Sequence, residues 1–319
     1  MLLMLAVPSA GREPAASAMR PGQSYFGERE YVEYLCGNLP VILSAPHGGR
    51  ERPLDIPDRE KGTFAFDTNT QELARAVAEE LHERTGGWPH LVLCRVHRRK
   101  VDCNREIVEA AAGNAAAEQV WHDFQEFLKS SRQSVEKSHG RGLYIDLHGH
   151  GHMAQRLELG YLHGVDRLAV DDAALNGAEY AAESSLQAIV ALGRTPYSEL
   201  LRGKYSLGAL LEAGGFPCSP SPTNPRPAAP YFRGGSNTVE HGREAAPLAG
   251  LQIETNSRGV RDTAENRQRF AKALAGALET FLSVHMGVGL VVKPERPAEA
   301  VPAGQTAAEK AKTLVPAGK

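Results

Sequence analysis

Short apolar runs that end close to metal-binding side chains are the feature of this sequence that most restricts its fold. The runs are residues 39–44 (LPVILS), 142–147 (GLYIDL) and 248–253 (LAGLQI). The polar residues that follow them are His47, His148 and Glu254. Each run is long enough for a buried strand and is closed by a turn or by a polar residue.

Amphipathic helices are predicted between and after these runs, in residues 70–83, 119–129 and 266–285. A further apolar run, 90–96, is typical of a strand. Strands that alternate with helices predict a three-layer α/β fold, with a mostly parallel or mixed central sheet and helices on both faces. Because active sites of such sheets lie beyond the carboxyl ends of the strands, we expect the polar residues after the runs to meet.

Composition and charge limit the class of protein. The chain has 319 residues, 42% of them hydrophobic, and a formal charge of -2, so no basic excess directs it to nucleic acid. We expect no nucleic-acid partner. We also expect no membrane span, since no segment reaches the roughly 18 to 20 apolar residues that a span needs. The four cysteines form no CxxC pair, which argues against a structural zinc knot.

The two ends of the chain are rich in Ala and Pro. Residues 1–22 are predicted to be a disordered leader and 292–319 a disordered tail, which leaves a single folded domain over 23–291. The first ten residues are apolar, but no basic segment precedes them and the run is short for a signal peptide. A cytoplasmic location is therefore favoured, and export would require this run to act as a signal. The sequence does not indicate an oligomeric state.

Two histidines are the first candidates for metal ligands. His47 lies in SAPHGG, where the glycines let a ligand approach, and His148 lies in DLHGH. Asp146 shares one face of the extended segment with His148 and can orient its ring. A catalytic zinc takes three protein ligands and keeps a fourth position for water. Spacing alone leaves Glu51 and Asp67 as alternatives for the third ligand.

Three further segments suggest catalytic or substrate-binding roles. Glu254 at a strand end is a candidate general base, with a structural, ion-paired carboxylate as the alternative. Asn104 and Arg105 in VDCNR form a fork suited to a substrate carboxylate, with a solvated basic loop as the alternative. Arg258 is a candidate for stabilising an oxyanion. A cysteine hydrolase built on Cys103 is a further alternative, whereas the absence of GxSxG argues against a serine hydrolase.

Taken together, these motifs resemble the N-formylglutamate amidohydrolases, a family whose fold is similar to that of zinc carboxypeptidases. The matching segments are SAPHGG around His47, Asp67, VDCNR at 101–105, DLHGH at 146–150 and LQIETNSRGVR at 251–261. The resemblance implies one zinc per chain with the ligands His47, Asp67 and His148. It also implies that Glu254 is the general base and that Arg105 binds the substrate carboxylate. It favours Asp67 over Glu51 as the third ligand.

The chain also departs from the family's pattern. It has PHGG where many members have PHSG, DLHGHGH where others have a serine after the histidine, and a Pro- and Gly-rich insert at 207–241. We expect this insert to form loops beside the site and to influence specificity. The sequence thus predicts a zinc-dependent hydrolase of an amide bond next to a carboxylate. The alternatives are a zinc carboxypeptidase or deacylase for another acyl-amino acid or γ-glutamyl substrate, and a non-catalytic metal-binding protein.

Overall fold

The computed structural model describes residues 19–291, and one sheet of eight strands forms the centre of this part. The strands are β1 (Ser24–Phe26), β2 (Val32–Leu35), β3 (Val41–Ala45), β4 (His90–Cys94), β5 (Leu143–His150), β6 (Leu157–Gly160), β7 (Cys218–Ser219) and β8 (Ala249–Asn256). Their order across the sheet is β1-β2-β4-β3-β5-β8-β6-β7. Strands β4, β3, β5 and β8 run parallel, while β2 and β6 join them antiparallel. The prediction of a mixed α/β sheet is confirmed.

Helices cover both faces of the sheet. They are α1 (Thr70–Thr85), α2 (Ile107–Ala111), α3 (Ala115–His139), α4 (Val165–Leu168), α5 (Asp172–Leu175), α6 (Ala178–Glu183), α7 (Gln187–Val190), α8 (Tyr197–Arg202), α9 (Leu207–Ala213), α10 (Ser236–Thr238) and α11 (Ala264–Phe281). Helices α1 and α11 pack together on one face, and α3 packs on the other. The predicted layers of helix, sheet and helix are therefore present.

Alternation within β3 builds two separate cores. Val41 and Leu43 belong to the core under α1 and α11, whereas Ile42 belongs to the core that contains Phe124 of α3. Successive side chains of a strand point to opposite faces, so a strand covered on both sides is mostly apolar. Each such large side chain contributes about 1.5–3 kcal/mol by its burial. This explains why residues 39–44 form a continuous apolar run.

Local signals set the ends of the long helices. Helix α1 ends at Gly86, which has a φ of 74°, a conformation that glycine adopts without strain. Helix α3 is longer than the predicted 119–129, because the Asn114 side chain accepts a hydrogen bond from the amide of Ala117 and Gly140 ends the helix. The prediction used only the face of large apolar residues, to which the alanines of the first turn and the mostly polar last turns of α3 add little.

The predicted insert at 207–241 contains more regular structure than expected. It begins with α9, joins the edge of the sheet as β7 and ends with α10 and most of a π-helical turn, Val239–Arg243. Irregular chain connects β7 to α10, and this part reaches the carboxyl ends of the central strands. The insert therefore combines a packed base with a loop beside the candidate site.

The predicted disordered ends lie mostly outside the described residues. Residues 1–18, with the N-terminal apolar run, and residues 292–319 are not described. Residues 19–22, which the sequence assigns to the leader, are described, and the Gly22 amide donates a hydrogen bond to Cys36 O at 2.9 Å. Across residues 19–291, none of the helices combines the length and the apolar character required to cross a bilayer.

Candidate metal centre

The polar strand ends meet at one edge of the sheet. Strands β3, β5 and β8 are parallel neighbours, so their carboxyl ends lie side by side. His47 follows β3, and His148 and Glu254 are opposite each other in the β5–β8 register. All three side chains belong to buried residues. The structure therefore brings together the three residues that the apolar runs identified.

Asp67 completes a triangle of donor atoms with the two histidines. His47 Nδ1 lies 3.1 Å from His148 Nδ1, and Asp67 Oδ2 lies 3.5 Å from the first nitrogen and 3.3 Å from the second. Ligand atoms around a tetrahedral zinc are about 3.4 Å apart when the bonds are about 2.0–2.1 Å long. The spacing and the two-nitrogen, one-oxygen donor set fit zinc, and they also suit other divalent transition metals.

The two alternatives for the third ligand have different surroundings. The Asp67 amide donates to His47 O at 3.0 Å, and the Gly149 amide donates to Asp67 Oδ2 at 3.1 Å, so the carboxylate is fixed at the donor triangle. Glu51 pairs instead with Arg95 at 2.8 Å, and its side chain is 36% exposed. The structure thus groups Asp67, and not Glu51, with the histidines.

Two buried carboxylates fix the orientation of the histidine rings by accepting hydrogen bonds from their Nε2 atoms. His47 Nε2 donates to Asp102 Oδ1 at 2.6 Å, and His148 Nε2 donates to Asp146 Oδ2 at 2.8 Å. Hydrogen bonds at the outer nitrogens direct both Nδ1 atoms toward Asp67, as metal-binding histidines require. Sequence reasoning proposed Asp146 for this role and missed Asp102. The VDCNR motif contained the residue, but no spacing rule pairs a carboxylate with a histidine 55 residues away.

Charge pairing shifts the pKa values in the triangle. Burial raises the pKa of Asp67, but hydrogen bonds from His148 and His47 outweigh it and hold that pKa well below its usual range. Burial lowers the pKa of His148, but Asp146 and then Asp67 raise it well above its ordinary value. In the metal-free site, His148 therefore keeps a proton on each ring nitrogen, including Nδ1. A divalent ion must displace this proton, so metal affinity is expected to fall as the pH falls.

Glu254 has one oxygen without a partner. Gln252 Nε2 donates to Glu254 Oε1 at 3.0 Å, whereas Oε2 is buried and makes no hydrogen bond within residues 19–291. Burial raises the pKa of Glu254 to about 8; the positive charge of His148 opposes this shift, while Asp67 and Glu158 add to it. An unpartnered buried oxygen is unfavourable unless a water or ligand atom satisfies it.

A cavity of about 510 Å³ opens above these residues. Asn104 and Arg105 line one part of its wall, and Tyr231 to Gly235 of the insert line another. Asn104 Nδ2 lies 3.3 Å from His148 Nε2, so this amide also contacts the triangle. The Arg105 side chain is 33% exposed. The VDCNR segment thus forms part of the wall of the cavity above the triangle.

Two other candidates from the sequence lie elsewhere. Arg258 lines a separate cavity together with Phe216, so it is not placed near the triangle. Cys103 is fully buried, and this burial raises the pKa of its thiol well above the ordinary value, which argues against a cysteine hydrolase. Arg98, which sequence reasoning did not single out, lines the main cavity and lies 4.0 Å from Asp67 Oδ1.

Comparison with known proteins gives distant structural similarities. No protein-family profile and no curated protein match the sequence. The chain is similar to a gene product of Agrobacterium tumefaciens, with 16% identity, a TM-score of 0.48, and coverage of 80% of this chain and 95% of that one. It is similar at 14% identity and a TM-score of 0.39 to an N-acetylmuramyl-L-alanine amidase from Mycobacterium smegmatis, with 76% and 96% covered. It is also similar to an N-formylglutamate amidohydrolase from Ralstonia eutropha JMP134, with 16% identity, a TM-score of 0.48, and coverage of 85% of this chain and 100% of that one. The N-formylglutamate amidohydrolases are the family that the sequence motifs resemble.

Proposed function

We propose that this chain is a zinc-dependent hydrolase that cleaves an amide bond next to a carboxylate of its substrate. The observation that carries the proposal is the unpartnered carboxyl oxygen of Glu254 beside the triangle of His47, Asp67 and His148. A structural carboxylate would have its own buried partners. A carboxylate with one unpartnered oxygen adjacent to donor atoms for a cation suits the transfer of a proton from a reacting water.

The residues of the triangle and Glu254 have separate roles. Bound zinc would polarise the scissile carbonyl and make a water molecule more acidic. Glu254 accepts a proton from the water as the water attacks the carbonyl carbon. Its pKa of about 8 in the metal-free site would fall beside a divalent charge, because a nearby cation favours the ionised form. Glu254 is then ionised near neutral pH and acts as a base.

Arg105 supports a substrate with a carboxylate. Its Nη1 donates to Asn104 O at 2.7 Å and its Nε lies 3.3 Å from Glu109. A guanidinium has five N–H donors, so the remaining ones are available for a carboxylate on the cavity side. Arg233 of the insert lines the cavity as well and offers a site for a second anionic group. N-Acyl amino acids, including N-formylglutamate, and γ-glutamyl compounds have the required chemistry.

Metal content tests the first half of the proposal. Elemental analysis should find about one zinc per wild-type chain and almost none in His148→Ala, since a histidine ligand is removed. His122→Ala, which changes an exposed histidine of α3, is the matched control and should keep its zinc. Wild-type protein that neither contains nor takes up zinc would contradict the proposal.

Turnover tests the second half. Glu254→Gln should keep its zinc and lose about 100-fold or more in kcat on the best substrate from a panel of N-formyl, N-acetyl and γ-glutamyl amino acids. Glu126→Gln is the matched control, because this glutamate lies on α3 with 69% of its side chain exposed. Full activity in Glu254→Gln would remove Glu254 from the mechanism. A zinc-loaded wild type that cleaves no member of the panel would instead favour a metal-binding protein without this activity.

A further inference from the structure

A second cluster of polar residues lies at the same cavity and has no part in the function proposed above. It consists of His150, His152 and Glu158, of which the two histidines line the cavity. His150 ends β5, and Glu158 lies in β6. Glu158 is opposite Glu254 in the β6–β8 register, and β6 and β3 flank the β5–β8 pair. Glu158 therefore lies beside the proposed general base, on the side away from His47.

Glu158 holds the imidazole of His152. The glutamate is fully buried, and its Oε1 accepts a hydrogen bond from His152 Nδ1 at 2.9 Å. Its Oε2 accepts one from the amide of Phe232 at 2.8 Å, and Arg156 Nη2 lies 3.6 Å from Oε1. Both carboxylate oxygens are thus engaged, and a neighbouring guanidinium compensates the negative charge. His152 is the group that this arrangement presents to the cavity.

The ring of His152 is fixed by two more contacts. The ring of Phe232 stacks on it at a centroid distance of 4.6 Å and an angle of 21°. The His152 amide donates to His150 Nδ1 at 3.1 Å, which fixes the backbone beneath the ring. No hydrogen bond joins His152 Nε2 to the part of the chain that the structure describes, and the residue lines the cavity together with Glu254. A carboxylate that binds one ring nitrogen and leaves the other for a ligand is the arrangement that acid–base histidines use.

The hydrogen bonds favour an acid–base imidazole over a second metal site. Both ring nitrogens of His150 are occupied, because Nε2 donates to Arg156 O at 2.8 Å and Nδ1 accepts from the His152 amide. The guanidinium of Arg156 already supplies a positive charge beside Glu158. A cation bound at this cluster would have to break the hydrogen bonds of the His150 ring nitrogens, and Arg156 would repel it.

We propose that His152 protonates the nitrogen that leaves when the amide is cleaved, and that Glu158 is its positioning residue. This role rests on the proposed function. The water oxygen bonds to the carbonyl carbon while Glu254 takes one proton of the water. The C–N bond then breaks, its electron pair goes to nitrogen, and nitrogen takes the Nε2 proton of His152. The proton on Glu254 returns to His152 through solvent, so one water is consumed and both side chains are restored.

The dependence on the leaving group tests this role. The substrate is the acyl amino acid that the wild type cleaves fastest, compared with its ester analogue, in which oxygen replaces the amide nitrogen; for N-formyl-L-glutamate the ester is 2-formyloxyglutarate. An alkoxide leaves with much less help from a proton than an amide nitrogen does. His152→Asn should therefore lower kcat about 100-fold or more for the amide and less than about 10-fold for the ester. Glu158→Gln should show the same selectivity to a smaller degree.

Controls separate this role from its alternatives. Met153→Ala changes a neighbouring residue that is 94% exposed and should leave both rates unchanged. Equal losses for amide and ester in His152→Asn would overturn the proposal in favour of a structural role. A second zinc that only the wild type binds would replace it with a second metal site. A wild type that cleaves no N-formyl, N-acetyl or γ-glutamyl amino acid refutes the proposed function, whereas a fully active His152→Asn enzyme refutes the role of His152 alone.

Discussion

Asp102→Asn tests how the donor triangle is held in place. Asp102 Oδ1 accepts from His47 Nε2, while its Oδ2 accepts from Arg98 Nε at 2.9 Å and lies 3.4 Å from Arg59 Nη2. An asparagine has one oxygen and one NH2 group, so only one side of the new residue can accept a hydrogen bond. Two positively charged guanidinium groups face the Oδ2 side, whereas the Oδ1 side faces His47 Nε2 and the uncharged amide of Asn104 at 3.2 Å. We therefore expect the oxygen to turn toward the arginines and the NH2 group toward His47.

The expected effect on metal affinity follows from the proton of His47. When the new NH2 group donates to Nε2, the ring proton must move to Nδ1, the atom that faces Asp67 and His148. A protonated Nδ1 cannot bind a metal. Loss of a carboxylate behind a histidine ligand costs about 10- to 100-fold in metal affinity. Because the tautomer also changes, we expect a loss in zinc affinity at the upper end of this range, about 100-fold, which corresponds to about 2.7 kcal/mol of binding free energy.

A competition titration measures this effect. Metal-free protein is titrated with zinc in the presence of a chromophoric chelator, and a thermal melt of each variant confirms that it is folded. Asp166→Asn, at an exposed aspartate of α4, is the matched control and should bind zinc as the wild type does. A folded Asp102→Asn protein that binds zinc within about threefold of the wild type would show that Asp102 does not set the orientation of His47.

Two further predictions concern substrate binding and stability. Arg105→Met should raise KM for a substrate with a free carboxylate by about 10- to 100-fold, because a charge-assisted hydrogen bond is lost. KM for the corresponding carboxamide should barely change. Equal changes for both substrates would contradict the binding of the substrate carboxylate by Arg105. Burial, with a smaller repulsion from His139, lowers the pKa of His90 to about 4. The unfolded chain has a pKa of about 6.5 at this residue and takes up the proton first, so the free energy of unfolding should fall by about 3 kcal/mol between about pH 7 and about pH 4. Urea titrations of His90→Gln should lack this part of the pH dependence, and an unchanged pH dependence would be evidence against it.

The strands and the three residues at their ends were predictable because both signals are local. A buried strand is a short apolar run, and the polar residue that follows it lies within three positions, as with His47 after β3. General rules for parallel sheets then place neighbouring strand ends together. His148 and Glu254 are paired in the register that this reasoning requires. Local pattern and sheet geometry were sufficient here.

Residues that depend on the path of a loop were not predictable in the same way. Asp102 reaches His47 from the segment between β4 and α2, and nothing in the sequence fixes the course of that segment. Arg258 lies only four positions after Glu254, but its side chain lines another cavity. Arg258 is thus close to Glu254 in sequence but lines a different cavity, whereas Asp102 is far from His47 in sequence but hydrogen-bonds to it.

The charges around the triangle explain why metal binding and the ionisation of Glu254 are expected to be coupled. The negative groups around the triangle include Asp67, Asp102 and Asp146, whose pKa values are lowered by their partners. The positive groups include Arg59, Arg98, Arg261 and, without a metal ion, protonated His148. A divalent ion that displaces the His148 proton raises the net charge of the site by one, and ionisation of Glu254 offsets this increase. Because uncompensated charge is costly in a buried site, the ion that fills the triangle also favours the basic form of Glu254.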